Sequence, residues 1–209
     1  MGLFYTVTRA ALKAFFCGCY RHTVTFESDI SFQSGAIIAP NHTSFLDPPL
    51  VAISWPEEVY FFARASLFTN PLFGSLIRSL HATAVTAASK DFFRVAADLL
   101  QAKKTIVIFP EGTRSVNGAL AELKNGVSLI AIKNNVPIVP AYIDGAVAAW
   151  PRNKKCPSFF GQRTSCTFGV PLFPDQITVE SDHSKDVHAT LTDKLQGALI
   201  RLQSQRRIP

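Results

Sequence analysis

An α/β fold, with a mostly parallel sheet covered by helices on both faces, is predicted by two observations. Short apolar, β-branched runs alternate with segments of helical character, the order of strand–helix–strand units in a parallel sheet. Two of these runs, 35–40 and 104–109, are apolar almost throughout and not at every second residue. That pattern suits strands buried on both faces. No linker-like, low-complexity or repeated stretch interrupts the 209 residues, so one domain over 1–209 with a sizeable core is expected.

Residues 1–22 open with an amphipathic helix over 3–20. Phe4, Val7, Ala11, Ala14, Phe15 and Gly18 follow helical spacing, with Thr6, Arg9, Lys13 and Tyr20 on the opposite face. Such a stripe bordered by cations fits either a core-packing helix or one lying in a headgroup region. Strands are expected over 23–26, 36–39, 59–63, 82–87, 105–109, 138–143 and 166–168. Helices are expected over 48–54, 67–80, 91–103, 120–134 and 185–205. Pro48 and Pro49 suit a helix's first turn. Asn134-Asn135 marks a C-terminal stop before Val136-Pro137.

The chemistry-bearing residues come directly after two of the strands. Asn41-His-Thr-Ser-Phe-Leu-Asp47 leaves the first apolar run, and Pro110-Glu-Gly-Thr-Arg-Ser115 leaves the second. In a doubly wound sheet the carboxyl ends of parallel strands share one edge, so both loops should meet at one crevice. Histidine exchanges a proton near neutral pH, and a carboxylate fixes its tautomer and stabilises the cation. Residues five apart lie about 140° apart on a helix. Asp47 also precedes a proline, which disfavours α geometry, so His42 and Asp47 need a turn to meet.

Asn41-His-x-x-x-x-Asp47, Phe109-Pro-Glu-Gly-Thr-Arg-Ser115 and Val136-Pro-Ile-Val-Pro140, in this order, resemble the glycerolipid acyltransferase family, typified by 1-acylglycerol-3-phosphate acyltransferases. Gly118-x-Leu120 and Lys124-x-Gly126 are similar to the stretch that comes after the family's Glu-Gly-Thr-Arg block. The resemblance covers about 30–175. It implies transfer of a fatty acyl group from a thioester of CoA or acyl carrier protein to the sn-2 hydroxyl of a lysophospholipid. His42 is read as general base and Asp47 as its orienter. Glu111, Gly112, Thr113 and Arg114 are read as substrate-binding. Arg114 suits a phosphate, and Glu111 is expected either to hydrogen-bond a glycerol hydroxyl or to hold Arg114. The oxyanion hole is expected in backbone N–H groups of one of the two loops. The family's intermediate block is only partly matched. Arg64-Ala-Ser-Leu67, Pro71 and Gly74 resemble its opening, but 82–89 lacks the arginine that normally closes it. Lys90 or Arg94 is the expected substitute, unless the acceptor is another lysolipid.

Hydrophobic residues make up 47% of the chain, yet no charge-free run reaches the ~20 residues that span a bilayer; the longest candidate, 65–77, is short and contains Asn70 and Pro71. The net charge of +6 concentrates in acid-free stretches: Arg9, Lys13 and Arg21; Arg152, Lys154, Lys155 and Arg163; Arg201, Arg206 and Arg207. These suit a phosphate-bearing partner, each cation contributing ~1 kcal/mol beside an anionic leaflet. With the resemblance, they imply a peripheral protein on the cytoplasmic face of a membrane. The stretch 152–155 would suit an acidic carrier protein or the phosphates of CoA. No helix-turn-helix, zinc-finger or RNP pattern argues for nucleic acid.

Met1-Gly2-x-x-x-Thr6 fits a myristoylation pattern formally and is discounted as short and common by chance. Arg9 and Lys13 break the apolar run that a secretory signal needs. The four cysteines show neither disulfide nor zinc spacing, so reduced thiols and no metal or resident cofactor are expected. A serine esterase would want a Gly-x-Ser-x-Gly elbow, which is absent, and Ser44 reads as a turn or cap residue. A non-catalytic lipid-binding protein would not need His42 and Asp47 together. His22, His81, His183 and His188 are expected in surface or core roles.

Overall fold

The computed structural model describes residues 2–30, 34–85, 89–154, 156–176 and 184–205. A seven-stranded sheet runs in the order β1-β7-β6-β2-β5-β3-β4, with β1 Thr23–Phe26, β2 Ile37–Pro40, β3 Val59–Ala63, β4 Ala82–Ala84, β5 Thr105–Val107, β6 Ile138–Asp144 and β7 Ser165–Phe168. The five strands from β6 to β4 are mutually parallel. β7 lies antiparallel to β6, and β1 parallel to β7, so the last two strands run against the rest. The expected α/β architecture is observed.

The central strands are buried on both sides, which is why they read as continuous apolar runs. Ile38, Val107, Val139, Ala141 and Ile143 enter one core, with α1 Leu3–Tyr20 and α2 Asp47–Ser54. Ile37, Ala39, Ile106 and Ile138 enter the other, with α4 Lys90–Gln101, α5 Gly126–Asn134 and α7 Ser184–Ser204. Alternation along each strand thus assigns every second side chain to one helical layer.

Two expected helices change and one short helix is added. The helix over 67–80 splits into a 3-10 turn, Ala65–Phe68, and α3 Pro71–Ser79, because Pro71 cannot continue a helix but can begin one. The helix over 120–134 begins only at Gly126. The backbone N–H groups before it are engaged elsewhere: Ala121 with Glu111, Leu123 with Gln196, and Lys124 with the Pro110 carbonyl. A short helix absent from the expectations, α6 Ala146–Ala149, follows Gly145 at φ +76°. A Cβ there would lie 1.8 Å from the Arg163 carbonyl oxygen, so only glycine fits. Of the expected strand 82–87, residues 86 and 87 lie outside the described residues, as do Lys155, His183, Arg206 and Arg207.

The N-terminal helix corrects the sequence reading in two places. Tyr20, assigned to its polar face, is fully buried and packs against Phe16 in the core. Arg9 does not border the apolar stripe as a free cation. Its guanidinium donates to the carbonyls of Ala52, Trp55 and Pro56 at the C-terminal end of α2, where helix carbonyls lack partners and a cation is favoured. Phe4, Val7 and Phe15 are left exposed. No described helix is long and apolar enough to cross a membrane.

His22 fastens β1 to the core, its Nδ1 2.9 Å from Thr164 Oγ1 and its Nε2 2.8 Å from Ser54 Oγ. Burial pushes this imidazole down to about 4, against its bond to Thr164 and with help from Lys13. The unfolded chain therefore binds this proton more readily than the folded one. Stability is full above pH 6.5 and is expected to fall by up to about 1.4 kcal/mol per pH unit as pH drops from 6.5 toward 4. Denaturant unfolding of wild type and His22→Gln across that window measures it: the variant's curve should be flatter, and parallel curves would exclude a titrating His22.

Candidate active site

β2 ends at Pro40, and the next residue anchors the loop to the neighbouring strand. Asn41 Nδ2 donates to Ile143 O at 3.0 Å, and Ile143 N donates back to Asn41 Oδ1 at 2.7 Å. The side chain acts as one more rung between β2 and β6, which sets the direction in which His42 leaves the sheet. No role for Asn41 was evident in the sequence.

The chain then turns sharply around Asp47, which is fully buried. Its Oδ2 accepts from Thr43 N at 2.6 Å, Ser44 N at 2.7 Å and His42 Nδ1 at 2.8 Å. The two backbone bonds make the turn, and the turn brings His42 to a residue five positions away. Asp47 itself begins α2, one residue earlier than expected. Ser44 acts as a turn residue: its hydroxyl accepts from Leu46 N and donates to Trp150 O. With Oδ2 accepting, the neutral imidazole carries its proton on Nδ1 and its lone pair on Nε2. The His42 side chain is 18% exposed, and Nε2 has no partner among the described residues. The Phe109 ring stacks on the imidazole, centroids 3.9 Å apart, and fixes its plane.

Glu111 has main-chain partners that the sequence did not reveal. Oε1 accepts from His42 N at 2.7 Å and Oε2 from Ala121 N at 3.0 Å. Each oxygen is thus bonded to a main-chain amide, and neither has Arg114 as its partner. With Ser115 N donating to His42 O at 2.7 Å, the carboxylate binds the two loops together. Burial raises its pKa, opposed by these two N–H groups and by nearby His42.

Arg114 meets the same crevice, its guanidinium carbon 3.4 Å from the Phe45 ring centroid. Burial lowers its pKa, followed by the influence of Arg152. Gly112 and Thr113 lie on an exposed turn, Gly112 at φ +71° with the Lys124 side chain against it. His42, Asp47, Glu111 and Arg114 therefore come together; Gly112 and Thr113 stand at the rim. Arg94, a sequence candidate for a phosphate ligand, pairs instead with Asp91 at 3.4 Å on the surface of α4. His81 lies between the rings of Tyr5 and Tyr60, away from His42.

Beside the imidazole opens an apolar cavity of about 670 Å³, lined by Phe62, Val85, Phe92, Phe93, Phe109 and Leu129 among others. Phe109, Pro110 and Gly112 belong to both the cavity and the Glu111 loop, so the cavity adjoins the histidine. A base with a free lone pair thus has an apolar chamber next to it and an arginine nearby.

Comparison with known proteins bears on this arrangement. The family model described as acyltransferase matches residues 21–144. A 1-acyl-sn-glycerol-3-phosphate acyltransferase of Limnanthes douglasii is 31% identical over 82% of this chain and 63% of its own length. One from Bacillus subtilis (strain 168) is 28% identical over 86% of each chain. One from Cocos nucifera is 31% identical over 62% of this chain and 44% of its own. The chain thus spans less than two thirds of both plant relatives. The crystal structure of the 1-acyl-sn-glycerophosphate (LPA) acyltransferase PlsC from Thermotoga maritima has the same fold, with a TM-score of 0.73 over 98% of this chain and 80% of that one, at 22% identity.

Replacing Glu111 by Gln keeps one accepting oxygen but turns an amide N–H against a backbone N–H. The cost expected for such an unsatisfied donor is about 1–3 kcal/mol. Hydrogen exchange should show faster exchange at the amides of His42 and Ala121. Unchanged protection at both would mean that the carboxylate does not hold the loops together.

Proposed function

The chain belongs to the acyltransferase family, and from that membership we propose that it transfers a fatty acyl group from a thioester to the sn-2 hydroxyl of 1-acyl-glycerol-3-phosphate. One observation carries the reading: His42 Nε2 is free in the crevice while Nδ1 is held on the buried Asp47. The names of the relatives supply the acceptor. The donor is a thioester of CoA or of acyl carrier protein, with its acyl chain in the cavity beside Phe109.

Nε2 takes the hydroxyl proton as the oxygen attacks the thioester carbonyl, and Asp47 stabilises the imidazolium that forms. The C–S bond then breaks, and the proton passes from Nε2 to the departing thiolate. The products are the ester and the free thiol. The tetrahedral intermediate needs N–H donors. Those of Thr43 and Ser44 are engaged by Asp47, and that of His42 by Glu111. The amide of Gly112 is engaged by Phe109 O, and oxyanion stabilisation is assigned to the remaining amides of residues 111–114. Arg114 binds the acceptor's phosphate.

Peripheral attachment to the cytoplasmic face of a membrane is part of the proposal. Phe4 is 68% exposed and Val7 57%, on the face of α1 turned away from the core. Phe160, 79% exposed, follows Phe159, whose ring lies 6.2 Å from Phe15. An apolar rim of this kind, with Lys13 and Lys154 exposed nearby in sequence, suits an anionic bilayer surface.

His42→Ala is expected to lower transfer to 1-acyl-glycerol-3-phosphate at least ~10²-fold with an unchanged circular dichroism spectrum. Retention of a tenth of the activity would remove the histidine from the reaction. The same assay separates transfer from hydrolysis, because an esterase would release free fatty acid. For the membrane, wild type should sediment with anionic vesicles and less so at high salt, given a Debye length of ~8 Å at physiological ionic strength. Folded Phe4→Asp/Val7→Asp protein should stay in the supernatant, and its sedimenting like wild type would contradict insertion of this face.

A further inference from the structure

Resemblance to the family leaves one cation missing, because 82–89 lacks the arginine that closes the intermediate block. The fold brings another to the crevice from a different segment. Arg152 lies between α6 and β7, and its Nη1 donates to the backbone carbonyl of Arg114 at 3.0 Å. Its segment is fastened to the His42 loop as well. Pro151 forms a β-bridge with Ser44, Ser44 Oγ donates to Trp150 O at 2.8 Å, and the Trp150 and Phe45 rings lie 5.0 Å apart.

Arg64 lines the cavity beside Phe109, Pro110 and Gly112, and it and Arg152 both disfavour charge on Arg114. Among the described residues no carboxylate forms an ion pair with any of the three. Arg114 Nη1 is buried and has no hydrogen-bond partner. Like charges whose one opposing acid, Asp47, is already engaged by His42 and two backbone amides, one with an unused buried donor, fit an anionic ligand of more than unit charge. A phosphate monoester carries about −1.5 to −2 near pH 7 and offers three acceptor oxygens.

We propose that Arg152 is a phosphate ligand, acting with Arg114 and Arg64 on the phosphomonoester of the acceptor in place of the absent intermediate-block arginine. The proposal rests on the transfer reaction above. The 3′-phosphate of a CoA donor has the same chemistry, so the experiment varies each substrate separately.

Arg152→Gln removes the charge but keeps a side-chain N–H for the Arg114 carbonyl. With the full-length protein, the KM for 1-acyl-glycerol-3-phosphate should rise at least tenfold while the KM for acyl-CoA stays within twofold. Calorimetric binding of a short-chain 1-acyl-glycerol-3-phosphate without donor should weaken in parallel, and its salt dependence should become shallower. A rise confined to the acyl-CoA KM would assign Arg152 to the donor and overturn the proposal. Unchanged acceptor KM and binding would overturn it too, while the transfer reading stands. Wild type that binds the lysolipid through Arg152 yet acylates nothing would sink the transfer reading and keep the arginine site.

Discussion

One carboxylate oxygen organises the centre of this protein. Oδ2 of Asp47 takes two backbone N–H groups and the imidazole Nδ1–H while fully withdrawn from solvent. A charge in that position is tolerable only with strong donors around it, and loss of a buried partner of this kind typically costs several kcal/mol. The same atom therefore shapes the turn and selects the tautomer of His42. Replacing the aspartate would disturb backbone and base together, whereas replacing His42 removes the base and leaves both amide bonds to the carboxylate.

The second buried carboxylate works in a related way. Glu111 joins His42 to Ala121 through two main-chain amides, so both acids of the crevice act on the protein before they could act on a ligand. Recognition of substrate is left to groups without partners. The free Nε2 faces the crevice, aromatic rings line the chamber beside it, and Arg114 lies over Phe45. A lysolipid with one charged end and one hydroxyl matches that division.

Much of the fold was legible because the central strands are buried on both faces and so contrast with the helices between them. The pairing of His42 with Asp47 was legible because both residues lie in one short loop. What escaped depended on contacts between distant segments. The helix expected at 120 starts six residues later since three of the preceding amides bond to Pro110, Glu111 and Gln196. The part Glu111 plays in joining the loops was not legible, because its main-chain partners are 69 residues back and 10 ahead. Tyr20 sat on the polar face of the periodic pattern, yet its ring stacks against Phe16 inside the core. Arg152 read as part of a general basic stretch, since nothing local ties it to Arg114.

α2 has a fixture at each end. Eight residues span about 12 Å; Asp47 opens the first turn, and the carbonyls around the last are gripped by Arg9 of α1. Six of its eight residues are buried, so it has little room to bend. It works as a tie-rod between the N-terminal helix and the His42 turn. Trimming that helix, or fusing a rigid tag to it, would load the rod at one end and misalign the imidazole at the other, even where no lipid is present.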